Sequence, residues 1–375
     1  MRLTVVQTLP ELNSGGVERG TLEIAAELTR RGHRSIVISS GGRLVEQLEK
    51  SGSKHIALPI GKKSLLTFRH ISSLREILAK ENANILHARS RFPAWISYLA
   101  WKHMPVSDRP RFITTFHGPY SVNAYSKIMV KSERVIAVSE YIRRYILEGY
   151  PDTDPGRIEV IHRGVAQDEF PWGFRPEPAW LAKWQENHPG IMDKFLITLP
   201  GRITRRKGHE DFIRIIRTLV SNHARVHGLI IGGPHKGKER FFGRLRNMTK
   251  HCGMENHITF LGHRNDMREL LSISNVVLSL SKKPEAFGRT VLEALSLGKP
   301  VIAYAIGGVT EILDKIFPEG IVKYNDSAEV VSKIREIMQK HPVIPASHPF
   351  TLEQMLDKTI SLYEKMHAGV GPNHE

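Results

Sequence analysis

Two carboxylates and two cations stand in stretches whose spacing suits one activated ligand. Glu285 and Glu293 lie in K-P-E-A-F-G-R-T-V-L-E-A-L-S-L-G-K-P, residues 283–300, and Arg202 and Lys207 lie in P-G-R-I-T-R-R-K-G, residues 200–208. An ionised acid accepts hydrogen bonds from two vicinal hydroxyls at once, as a ribose or hexose presents them, each charge-assisted bond being worth about 1.5–3 kcal/mol. Arg202 and Lys207 can clamp a diphosphate and stabilise the negative charge that grows on it as a bond to it breaks. Arg205 and Arg206 read as surface cations. Phe287-Gly288-Arg289-Thr290 precedes a helical segment, and a bare glycine there lets backbone N–H groups approach an anion at a helix N-terminus.

The elements that must position these groups follow from the hydrophobic pattern. Strand-like runs at Leu3–Thr8, Ser35–Ser39, Ile85–Ala88, Arg111–Thr115 and Arg134–Val138 alternate with helix-like segments, the first from about Gly16 to Arg31. The rhythm breaks over Phe170–Asp193, where Pro171, Pro176, Pro178 and Pro189 interrupt it. It resumes with Phe195–Leu199, Arg225–Ile231, Ile258–Leu261, Val276–Leu280, Val301–Ala303 and Gly320–Val322. Alternation of this kind predicts parallel sheets. A chain of 375 residues suits two α/β domains with a ligand cleft between them. The expected division is a first Rossmann-like domain over 1–175, a second over 190–350, and a closing helix over 351–368 that can lie back on the first. The last residues, 369–375, are expected to fray. Glu285 then falls in a loop at a strand's carboxyl end and Glu293 early in a helix, both toward the crevice.

In the first half, Gly15-Gly16-Val17-Glu18 follows a strand and opens a helix, which offers backbone N–H groups to a ligand. It is not G-x-G-x-x-G, so a nicotinamide or flavin site gains little support.

The E-x7-E pair Glu285 and Glu293, within E-A-F-G…L-E-A-L…G-K-P-V-I-A…G-G…E through Gly307, Gly308 and Glu311, resembles the family 4 glycosyltransferases of the GT-B fold. The resemblance covers almost the whole chain. It implies an α/β architecture of two Rossmann-like domains facing each other across a cleft, with the nucleotide-diphosphate sugar bound by the second and the acceptor by the first. By the same resemblance Arg202 and Lys207 match the phosphate-binding cations, and Gly15 and Gly16 the glycine-rich first loop. His117 in T-T-F-H-G matches a histidine that hydrogen-bonds the donor sugar, and Ser139 and Glu140 match a segment near the ligand. The implied catalytic set is Glu285, Lys207, Arg202 and His117. The implied donor-binding set is Gly15, Gly16, Arg202, Lys207, Glu285, Phe287, Gly288, Arg289, Thr290 and Glu293. One departure stands out: Arg163 precedes Gly164-Val165 where the family usually has Asn.

The resemblance further implies retention of anomeric configuration, no divalent metal and no cofactor beyond the sugar nucleotide, which is a substrate. Asp152-Thr153-Asp154 spells the metal-binding D-x-D of another transferase fold, but between Pro151 and Pro155 it reads as a turn. Two other readings remain: an inverting GT-B enzyme, for which Glu18 or His117 would be the base, and a noncatalytic binder of sugar nucleotides or polyanions.

The excess of 54 Lys and Arg over 38 Asp and Glu, +16 in all, is spread along the chain and would draw a nucleotide, a polyanion or an anionic membrane alike. A nucleic-acid partner is not expected, because the aromatic pattern of the known modules is missing. Expected partners are a UDP-sugar in preference to a GDP-sugar, a glycan or lipid-linked acceptor of surface polysaccharide or lipopolysaccharide type, and an anionic membrane surface touched through the basic segment Tyr125–Tyr150. The single cysteine, Cys252, fits a reducing compartment, and the N-terminal sequence shows neither leader nor apolar span. A cytoplasmic protein, peripheral on the inner membrane face, is the expectation.

Overall fold

The computed structural model describes residues 2–13, 15–234, 237 and 239–369; residues 370–375, most of the segment expected to fray, lie outside that range. The chain forms two compact units, one of residues 1–163 with the segment from Glu353 onward, the other of residues 164–352.

The first unit is a seven-stranded parallel sheet: β1 (Thr4–Thr8), β2 (Arg34–Ser39), β3 (Lys54–Ala57), β4 (Ile85–Ala88), β5 (Arg111–Phe116), β6 (Arg134–Ala137) and β7 (Ile158–Val160), in the order β3-β2-β1-β4-β5-β6-β7. Its central strands are continuously buried, as a sheet covered by helices on both faces requires. The helix Gly16–Arg30 buries Gly20, Thr21, Ile24, Ala25 and Leu28, a stripe at helical spacing. The helix Leu352–His367 buries Met355, Leu356, Thr359, Ile360, Leu362, Tyr363 and Met366, and the Tyr363 hydroxyl meets His87 Nδ1 at 2.7 Å. Strands β3 and β7 carry no clear signal in the sequence. They are the two edges, short and half exposed, so their residues need no apolar run.

The second unit is a six-stranded parallel sheet: β8 (Phe195–Pro200), β9 (Val226–Ile231), β10 (Ile258–Gly262), β11 (Val276–Ser279), β12 (Val301–Tyr304) and β13 (Ile321–Val322), in the order β10-β9-β8-β11-β12-β13. Both sheets are doubly wound in the Rossmann manner, with the order reversing between β1 and β4 and between β8 and β11.

The division between the units falls at Arg163/Gly164, ahead of the 175–190 break suggested by the prolines. Val165 exchanges backbone hydrogen bonds with Phe350 and Leu352, Phe170 joins the second unit's core, and Trp172 Nε1 donates to the Ile344 carbonyl at 2.9 Å. The stretch expected to be irregular also holds a helix, Pro178–Asn187. Pro178 opens it, where a missing N–H does no harm, and Trp184 anchors it in an apolar cluster.

Candidate functional site

In an open parallel sheet, ligands bind beyond the carboxyl ends of the strands at the reversal of strand order. In the second unit that place is occupied by the loops that leave β8 and β11, and these carry residues 201–208 and 280–288. Lys207 Nζ donates to Glu285 Oε1 at 2.5 Å, so the cation of one loop and the carboxylate of the other meet. Ser281 donates to the same oxygen, and the Lys282 amide donates to the Arg206 carbonyl at 2.6 Å, tying the loops along their backbones. Burial alone would push the Glu285 carboxyl up. The Lys207 ammonium, the Ser281 hydroxyl and the Arg206 charge outweigh it and hold the acid below its ordinary value. Glu285 is therefore an anion at neutral pH, with its side chain 21% exposed.

A glycine turn fixes the height of that carboxylate. Gly307, at φ 74°, lies against the Glu285 backbone so closely that an added Cβ would stand 2.6 Å from its carbonyl oxygen, and the Gly308 amide donates to that oxygen at 2.8 Å. Gly288 precedes the helix Arg289–Ser296 at φ 103°, where a Cβ would meet Val309 Cγ2 at 2.5 Å. Glycine is required there twice over, by backbone conformation and by space. A helix N-terminus of this kind presents backbone N–H groups and a dipole that favour an anion. One turn along, Glu293 is 8% exposed and pairs with Arg289 at 3.2 Å.

Arg202 is exposed, with no hydrogen bond or ion pair among the described residues, and so can turn to an arriving anion. Thr290 is half buried in the first turn of the Arg289–Ser296 helix. Phe287 belongs to the expected donor-binding set. It is 3% exposed and packs edge-on against Phe350 at 5.6 Å, so its side chain anchors the loop and only its backbone is available to a ligand. Arg205 lies over the Phe241 ring at 5.9 Å.

In the first unit, Gly15 and Gly16 open the helix that follows β1, Gly15 at φ 143°. His117 follows β5, and its Nδ1 lies 3.1 Å from Arg163 Nη2, which also donates to the Gly16 carbonyl at 3.0 Å. The Tyr120 hydroxyl accepts from the His117 amide at 3.4 Å. Burial above all, then the charges of Arg163 and Arg89 and the neighbouring His87, hold His117 well below its ordinary 6.5, so the ring is neutral. Ser139 is buried and caps the helix Glu140–Gly149, accepting from the Ile142 amide at 3.1 Å. Asp154 accepts from the Gly156 amide and Asp152 pairs with Lys127, the ordinary work of a turn.

Sequence reading missed Ser281, Arg163 and Tyr120. Ser281 had a signal, since it lies two residues beyond the end of β11 and four before Glu285. Arg163 registered only as an unusual side chain.

Comparison with known proteins bears on both units. A model of Glycosyltransferase Family 4 matches residues 14–169, and one of Glycosyl transferases group 1 matches residues 182–347. A crystal structure of a glycosyltransferase from Rickettsia africae ESF-5 is 33% identical, with a TM-score of 0.86 over 98% of this chain and 99% of that one. Anabaena Alr3699/HepE in complex with UDP and glucose shares the fold at 18% identity, with a TM-score of 0.81 over 97% of this chain and 100% of that one. N-acetyl-alpha-D-glucosaminyl L-malate synthase of Bacillus anthracis is 26% identical over 332 residues, 84% of this chain and 81% of its own.

Proposed function

This chain belongs to the family 4 glycosyltransferases, with two Rossmann-like units of the GT-B fold, and on that premise we propose that it is a retaining, metal-independent hexosyltransferase using a UDP-sugar. The observation that carries the proposal is the Lys207–Glu285 pair, which joins the loops after β8 and β11 beside the helix N-terminus at Gly288. In that role the diphosphate takes the cations Lys207 and Arg202 and the helix N–H groups, and the sugar hydroxyls take Glu285. Glu293 takes the ribose hydroxyls. UDP is favoured over GDP by the UDP and glucose bound to the Anabaena protein of the same fold.

The bond from the sugar's anomeric carbon to the diphosphate oxygen breaks, and its electron pair leaves on the diphosphate. Lys207, Arg202 and the helix dipole stabilise that charge as it develops. The acceptor hydroxyl bonds to the same face of the oxocarbenium-like sugar, and its proton passes to the departing phosphate oxygen. No protein base is needed, which suits a His117 whose burial among cations makes it slow to take up a proton.

The acceptor in this reading is a glycan or lipid-linked glycan of surface polysaccharide or lipopolysaccharide type, held by the first unit of a protein working at the cytoplasmic membrane face. None of the described helices is long and apolar enough to cross a membrane. Within Tyr125–Tyr150 the apolar side chains Ile128, Met129, Ile142 and Ile146 are buried and cannot enter a bilayer. The turn Leu65–Arg69 suits a membrane better. Leu65 and Leu66 are 86% and 72% exposed, beside the exposed cations Lys62, Lys63 and Arg69. Replacing both leucines by glutamate should abolish co-sedimentation with phosphatidylglycerol vesicles; wild-type protein that pelleted no better with these than with neutral vesicles would remove the membrane contact.

Incubation with a panel of UDP-hexoses and GDP-mannose, followed by proton NMR of any product, tests the whole reading. The expected result is UDP release with the anomeric coupling of the donor kept in the product. An inverted coupling would overturn retention, and no hydrolysis or transfer with any donor would favour a noncatalytic binder.

A further inference from the structure

Arg163 ends the first unit, and the structure builds a seat for its side chain. Its guanidinium lies on the helix Gly16–Arg30 at Gly20, where an added Cβ would stand 2.9 Å from Arg163 Cζ and closer still to its two terminal nitrogens. Glycine weakens a helix interior relative to alanine, and Gly20 has no positive φ to explain it. The space occupied by the guanidinium does explain it. From that seat Nη2 reaches the Gly16 carbonyl at 3.0 Å and His117 Nδ1 at 3.1 Å.

A guanidinium carries only donors, so Nδ1 must accept, and the single proton of the neutral imidazole is forced onto Nε2. His117 Nε2 is shielded from solvent and has no hydrogen-bond partner among the described residues. A buried donor without an acceptor is unfavourable, so this N–H is poised for an oxygen that arrives with a ligand. We infer that Arg163 is a positioning residue, fixing His117 as an Nε2–H donor aimed at a hydroxyl of the donor sugar. With Nδ1 engaged and Nε2 protonated, neither nitrogen offers a lone pair, so the ring is disqualified as a base. The assignment of the acceptor oxygen to a sugar rests on the proposed function; the locked tautomer does not.

The groups around the ring act in one direction. Arg163 and the buried Arg89 and His87 all disfavour a second proton, while Tyr120 and Tyr363 are themselves buried phenols whose ionisation burial opposes. The carboxylates of Glu18 and Glu23 on the Gly16–Arg30 helix act on Arg89.

The test uses the full chain labelled with nitrogen-15 histidine, with His117 identified by its loss in His117→Gln. Long-range proton–nitrogen correlation should show the Nε2–H tautomer, unchanged between about pH 5.5 and 8 where an ordinary histidine titrates. Arg163→Met should give mixed tautomers, and Arg163→Lys, which keeps a donor, should restore the single one. A wild-type His117 that carries its proton on Nδ1, or that titrates in this range, overturns the inference without recourse to any variant. In turnover with the sugar nucleotide picked out by the panel, His117→Gln and Arg163→Met should each lower kcat/KM about fivefold, and the double variant no further. Losses that add would overturn the positioning role. If His117→Gln impairs transfer and Arg163→Met does not, the positioning role alone fails. If neither does while the tautomer is locked, it is the placing of the sugar at His117 that fails.

Discussion

The loops after β8 and β11 and the surroundings of His117 solve opposite electrostatic problems. In the second unit a carboxylate and an ammonium meet at 2.5 Å, and the acid is kept ionised by its cation. In the first unit a ring is kept neutral by burial among cations. A charged pair suits a diphosphate and the hydroxyls beside it, because each member can exchange its partner for a ligand group. A neutral donor suits a hydroxyl, because it binds without adding charge, as the proposed contact of His117 with the donor sugar requires. One unit stores charge and the other withholds it.

The sharpest way to break this contrast is to remove the cation. Lys207→Ala should depress kcat by about 10²–10³-fold, the usual loss when one preorganised stabiliser of a developing anion is deleted. A variant that kept kcat and lost only donor affinity would show that Lys207 serves the ground state alone. Next in size, Glu293→Ala should raise the Kd of UDP by about 10- to 100-fold, as expected for charge-assisted bonds to a ribose, and calorimetry reads it directly. Unchanged affinity would reduce Glu293 to a helix residue paired with Arg289.

The smallest effect concerns stability. Because Glu285 is held below its ordinary 4.5, the stabilisation it provides is complete above that value and is lost as pH falls through the lower, folded value. Urea unfolding at pH 6 and pH 4 should therefore show a larger loss for the wild type than for the double variant Lys207→Met, Glu285→Gln. Equal losses would mean that the pair does not lower the acid. His117, kept neutral in the fold but free to charge once unfolded, also loses stability as pH falls below its ordinary 6.5, in wild type and double variant alike, so it cancels from the comparison.

The same contrast explains what could be read in advance. The Glu285 and Glu293 segment announces itself because charged side chains, glycines and buried strands fall close together in the chain, and each has a local reason for its place. The inner strands of both sheets were legible for the same reason, as continuous apolar runs. The first unit's site is assembled from afar. Arg163 meets His117 across 46 positions and Gly20 across a longer stretch, and nothing local to T-T-F-H-G tells which nitrogen carries the proton. The packing of the Phe287 ring was hidden for the same reason, since Phe350, distant in sequence, draws it into the core. The helix Pro178–Asn187 hid behind prolines that mark its start rather than a linker.

A crystal structure of the protein with UDP tests the central claim most directly. The account predicts the diphosphate within hydrogen-bond reach of Lys207, Arg202 and the N-terminal amides of the Arg289–Ser296 helix, with the ribose on Glu293. A nucleotide bound elsewhere, with the Lys207–Glu285 contact undisturbed and Glu293 still turned to Arg289, would contradict it.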